Sequence, residues 1–122
     1  MNTALWIVQI ALALMFVVAG VQKSMQPKER LVEKLPWTKD FSPSTIRFIG
    51  ITELLAAVGL VLPAATGIVP ILTPLAASGV VVIMILAILT HRRRGETGAI
   101  VFNAALLIAA AFVAWARLGS YA

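Results

Sequence analysis

The chain has 122 residues, 61% of them hydrophobic and 12% charged, with a formal net charge of +5 and a mean hydropathy of +0.98. A soluble domain is about half apolar and about a quarter charged, so an excess of this size, gathered into long runs, excludes an ordinary water-soluble fold and points to a membrane protein. With no cysteine and one histidine, the sequence excludes disulfides, thiolate metal centres and a redox dithiol, and it offers no dedicated metal site. Its basic residues flank apolar runs, where anionic lipid headgroups account for them better than nucleic acid does.

The first apolar run, TALWIVQIALALMFVVAGVQ, covers residues 3–22. No basic segment precedes it, and its apolar stretch exceeds the about 7–15 residues of a signal peptide, so it reads as a retained helix. A long loop, 23–45, follows. Within it PKERLVEKLPW sets Leu31 and Leu35 at helical spacing. One reading lays Leu31, Leu35 and Trp37 on the headgroup boundary with Lys28, Arg30 and Lys34 toward phosphates. The other is a solvated connector with Trp37 as an interfacial anchor.

The second run spans 46–62, the third 74–90 and the fourth 99–116, with a short loop at 91–98. Each is close to the about 20 residues that cross a hydrocarbon core as a helix, the form that satisfies its own backbone in lipid. Pro63, Pro70 and Pro74 are expected at span edges, where a missing N–H costs least. The predicted fold is therefore all-α, an integral membrane four-helix bundle forming one domain over residues 1–122. Nine of the ten Lys and Arg residues fall in the loops after the first and third spans or, as Arg47 does, on their flanks, and Arg117 alone lies on the other side. By the positive-inside rule both basic loops are cytoplasmic and both termini are outside, as in a multi-pass protein of a cell inner membrane. Arg117 reads first as a snorkelling interfacial anchor, and as the alternative it meets Gln9 of the first span at similar depth.

Between Arg47 and Pro63 the sole charge is Glu53, about seven residues into the second span and so roughly 10 Å deep. A charge at that depth costs about 3 kcal/mol on insertion scales, so it faces the bundle and takes a partner. Gly50, Ala56 and Ala57, three or four residues away, are small enough for another helix to approach closely. Phe16, Gly20 and Lys23 form one stripe on the first span, and Met84, Ala87 and His91 another on the third. Asn103 lies just inside the fourth. One polar group per helix thus converges on a cavity at the cytoplasmic end: Lys23, Glu53, His91 and Asn103. They are candidate ligand-binding residues, with Glu53 the one candidate for catalysis. The plainer alternative is an ion pair of Glu53 with Lys23 or an arginine, with Asn103 bridging helices.

Over nearly its whole length the sequence resembles the DoxX-like family of small bacterial four-helix membrane proteins. The likeness is carried by FVVAGVQK, LPWTKDF, GITELLAAVGLVLPAATGIVPILTPLAA and HRRRGE, with Gly20, Lys23, Gly50, Glu53, Gly59, Pro63, His91 and Arg94 at its pattern positions. Lys39 precedes Asp40 where an acid is expected of relatives, which counts against an acidic ligand site there. The resemblance implies the four-helix fold, and associates relatives with quinone-linked sulfur oxidation and with membrane complexes of oxidant defence. Without cysteine, and with no haem or flavin signature, this chain is expected to serve such a system at most as a membrane subunit.

The leading expectation is an accessory subunit or small-molecule-binding protein accepting a quinone or another lipophile, with the bilayer, other membrane subunits or further copies of itself as partners. A membrane isomerase or cyclase using Glu53 as general acid or base is the alternative, since an apolar substrate needs little beyond one carboxylate in a dry pocket. A small transporter and a structural scaffold are the other two.

Overall fold

In the computed structural model, which describes residues 2–121, the chain forms α1 (Asn2–Met25), α2 (Lys28–Lys34), a 3₁₀ turn (Pro36–Asp40), α3 (Pro43–Thr66), α4 (Leu72–Arg94) and α5 (Thr97–Tyr121). The four long helices are the predicted spans, each extended at both ends, and each is long and apolar enough to cross a membrane. They alternate in direction, so the α1–α3 and α4–α5 connections share one end of the bundle, here the basic end. The chain termini and the α3–α4 loop share the other, the terminal end. Around the bundle α1 packs on α3, α3 on α4, α4 on α5, and α5 more sparsely on α1.

Local chemistry sets the ends of the helices. Ser42 caps α3, its hydroxyl accepting from the Thr45 N–H at 3.2 Å, and Pro43 opens the first turn, where it has no intrahelical N–H to lose. At the far ends of α3 and α4, Gly67 (φ 72°) and Gly95 (φ 70°) take the left-handed conformation that closes a helix. Arg47 of α3 donates to the carbonyls of Lys23 (3.0 Å) and Gln26 (2.6 Å), satisfying the orphan acceptors at the end of α1 with a cation suited to that pole of the helix.

Polarity runs inside out relative to a soluble bundle. Ile7, Leu14, Leu55, Val82, Ile108 and Trp115 are exposed, as lipid-facing residues are. Buried are Leu12, Phe16, Leu60, Val80, Met84 and Val113, together with the polar Gln9, Glu53, Thr73 and Arg117. At two points α1 and α3 meet backbone to backbone. A Cβ on Gly50 would lie 2.6 Å from the Ser24 nitrogen, and one on Gly20 would lie 2.8 Å from the Gly50 carbonyl oxygen. Glycine is what allows the two helices this close.

Pro63 corrects the expectation that prolines sit at span edges, for it lies inside α3. A proline there deprives the carbonyl four residues back, that of Gly59, of its donor. Thr73 of α4 takes over both sides of the break: its hydroxyl donates to Gly59 O (2.9 Å) and accepts from the Ala64 N–H (3.1 Å). Gln9 of α1 donates to the adjacent freed carbonyl, Leu60 O, at 2.7 Å. The interruption in α3 thus fastens it to α4 and α1 in the terminal half, because freed backbone groups in an apolar medium need partners.

The first connection also differs from either reading of it. Most of 23–45 is helical, and Leu31 is fully buried, so α2 turns its leucine into the protein and not onto the headgroup boundary. Trp37 is half-buried, edge-on to Phe41 at 5.6 Å and to His91 at 6.4 Å. Burial of Leu31 and Trp37 gains more apolar contact than a solvated connector would. The segment caps the basic end.

Candidate functional site

Under that cap lies a cavity of about 790 Å³, bounded by all four long helices and by the Leu35–Phe41 segment. Its size is within the about 300–1,000 Å³ typical of small-molecule sites. Lys23, Glu53, His91 and Asn103 all line it. Toward the terminal end it stops at a layer formed by Leu12, Leu60, Val80, Ala110 and Val113, none more than 2% exposed.

Lys23 and Glu53 are bonded. Lys23 Nζ donates to Glu53 Oε1 at 2.7 Å, with the two side chains 12% and 3% exposed. The pair exists because the close α1–α3 approach at Gly20 and Gly50 sets the two stripes face to face. Lys23 Nζ also stands 5.4 Å from the centre of the Trp37 ring, a cation–π contact that helps to hold the cap over the ion pair. Two hydrogen-bonding valences remain on the ammonium and one oxygen on the carboxylate.

The other two candidates are oriented by local partners. His91 Nδ1 is 2.9 Å from Glu96 Oε1, while Arg94 joins Glu96 (3.3 Å) and Asp40 of the cap (2.7 Å). The α4–α5 turn is thereby linked to the 3₁₀ turn. Asn103 donates from Nδ2 to Ala99 O in its own helix at 2.8 Å, so the helix-bridging of the plainer alternative gives way to a local bond. That bond leaves its carbonyl oxygen as an acceptor for the cavity. Only Lys23 and Glu53 of the four are in direct contact among the bonds of the described residues.

Sequence reasoning missed Trp37, Glu96 and Phe41 as lining residues. The closeness of Trp37 to a stretch with helical spacing was a usable signal for a folded cap. Glu96, five residues beyond His91, becomes a neighbour only through the left-handed turn at Gly95. Arg117 is a further correction. It is 3% exposed, not snorkelling, and donates from Nε to Gln9 Oε1 at 2.6 Å and from a guanidinium NH₂ nitrogen to Asn2 Oδ1 at 2.9 Å. Its guanidinium also lies 5.2 Å from the Trp6 ring centre. This cluster ties α5 to α1 at the terminal end, apart from the cavity.

Chemically, the cavity offers an apolar wall, a bonded ion pair deep within it, and further donors and acceptors toward the basic end. Comparison with known sequences matches the model of the DoxX-like family to residues 7–113. No curated protein and no solved structure matches the chain.

Proposed function

The chain belongs to the DoxX-like family, and from that premise we propose that this multi-pass membrane protein binds a lipophilic small molecule in its basic-end cavity. A quinone or another lipophile would occupy the site, and the protein would act as an accessory subunit of a membrane redox complex in the inner membrane, with both basic loops in the cytoplasm. The observation that carries this reading is one apolar cavity to which each long helix contributes a polar group: Lys23, Glu53, His91 and Asn103.

An ion pair at membrane depth is costly and marks a functional site by default. Here it opens onto a space large enough for a ligand and is not sealed between helices. The dry layer at Leu60, Val80 and Val113 favours a blind binding site over a passage across the bundle. Engagement of Glu53 by Lys23 favours a binding role over general-base catalysis, since the oxygen nearest the ammonium is already committed.

Native mass spectrometry of protein released gently from its own membranes, wild type beside Glu53→Gln, tests the proposal. A small-molecule adduct on the wild type that is missing from the variant is the expected result. An adduct-free wild type that carries a co-purifying membrane protein would reduce the site to helix packing and overturn the ligand reading.

A further inference from the structure

The cavity reading can be deepened by asking which lipophile its charges select and how that molecule enters. Its ionisable lining comprises the cations Lys23, Lys34 and Arg93, the carboxylates Glu53 and Glu96, and His91. Both carboxylates are engaged, Glu53 by Lys23 and Glu96 by His91 and Arg94. Among the described residues, Lys34 and Arg93 have no acid within ion-pair distance, and both are exposed at the basic end. The indole N–H of Trp37, on the same lining, has no hydrogen-bond acceptor among the described residues. The mouth of the cavity thus carries excess positive charge and donors that have no acceptor within the described residues, while its body is apolar. That combination is complementary to an anionic, acceptor-rich head on an apolar chain.

The packing supplies the route. Arg117 of α5 donates to Asn2 and Gln9 of α1 and lies over the Trp6 ring in the terminal half, and the α1–α5 seam is the sparsest of the bundle. In the basic half the two helices face each other across the cavity through Met15 and Ala19 on one side and Phe102 and Leu106 on the other. Met15 and Phe102 are exposed, as are the lining residues Phe48 and Leu89 of α3 and α4, and it is the sparser packing of α1 on α5 that makes their seam the easier way from the cavity to lipid.

We propose that the cavity takes a single-chain anionic amphiphile, a long-chain carboxylate or phosphate monoester, laterally from the adjoining leaflet. Its head meets Lys34 and Arg93, and its chain lies in the α1–α5 seam. The proposal rests on the cavity being a ligand site at all, and the test separates the two.

The test uses the full-length protein in bilayer nanodiscs and a palmitate analogue with a diazirine near its chain terminus. Cross-links are mapped by mass spectrometry. Adducts are expected on residues 15–22 and 99–106, saturable, and displaced by palmitate or hexadecyl phosphate but not by hexadecanol. The Lys34→Gln/Arg93→Gln variant, which changes only exposed side chains, should label about fivefold less or weaker still. Equal displacement by hexadecanol or by a benzoquinone with a decyl chain would overturn the charge selection and leave a neutral lipophile in the site. Adducts confined to the α3–α4 seam, at Phe48 and Leu89, would overturn the route. Unsaturable labelling spread over lipid-facing positions such as Val82 and Ile108 would overturn both this proposal and the ligand reading beneath it.

Discussion

Removing the two charges of the Lys23–Glu53 pair singly and together distinguishes a packing device from a binding site. Breaking a buried pair by deleting one partner costs about 3–5 kcal/mol, because the remaining charge loses its counter-charge in a poorly polarisable interior. With Glu53 3% exposed and Lys23 12% exposed, the two singles are unequal. Lys23→Met strands the carboxylate and should cost about 4 kcal/mol. Glu53→Gln leaves an ammonium with four methylenes of reach toward the basic end, and should cost about 2–3 kcal/mol. The double variant Lys23→Met/Glu53→Gln buries no charge and should lie within about 1 kcal/mol of the wild type. The cycle therefore predicts a coupling of several kcal/mol, well above the about 0.6 kcal/mol average of interhelical polar contacts in membranes. Reversible unfolding in bicelles, followed by steric trapping, measures all four proteins. Additive singles would refute the reasoning, since they would mean that each charge is solvated without the other. Adduct loss in a double variant that has recovered its stability would then assign the pair to ligand binding and not to folding alone.

Other predictions test the architecture around the site. Thr73→Val should cost about 2–4 kcal/mol, because it strands the Gly59 carbonyl and the Ala64 N–H in the apolar interior. On a Pro63→Ala background, where the helix can satisfy its own bonds, the same change should cost under about 1 kcal/mol, and the double-mutant cycle reads the difference. Gly50→Ala should separate α1 from α3, lowering the thermal midpoint in detergent and weakening any ligand adduct, since its Cβ would meet backbone at 2.6 Å. Gly79→Ala, with nothing within 4 Å of the added Cβ, should raise stability by up to about 1 kcal/mol in the same assay. Arg47→Ala should cost about 2 kcal/mol by releasing two carbonyls at the end of α1, a loss visible as faster amide exchange over residues 22–26.

The spans were legible because apolar length is a property of consecutive residues, and one bilayer thickness fixes what length suffices. The side of Glu53 was legible too: Gly50, Ala56 and Ala57 mark the packed face by helical spacing alone, and all three are buried. So was the shared depth of Arg117 and Gln9, which meet at 2.6 Å. Pro63 read as an edge because its tolerance inside α3 depends on Thr73 and Gln9, donors from two other helices. The fate of α2 was hidden for a similar reason. Seven residues of mixed charge and leucine suit a membrane surface, water or a protein lid equally well, and only the groove awaiting Leu31 and Trp37 decides among them.

Composition and periodicity by themselves determined a four-helix membrane bundle, the end at which its basic loops gather, and the polar groups available at that end. Each of those depends on one helix and its solvent. Tertiary structure alone decided that Lys23 takes Glu53, that Asn103 bonds within its own helix, that a cap closes over the site and that an apolar cavity of about 790 Å³ remains between the helices. Such features depend on the distances between helices, and those are set by close backbone contact at Gly20 and Gly50 and by the hydrogen bonds around Pro63, not by any pattern along one segment.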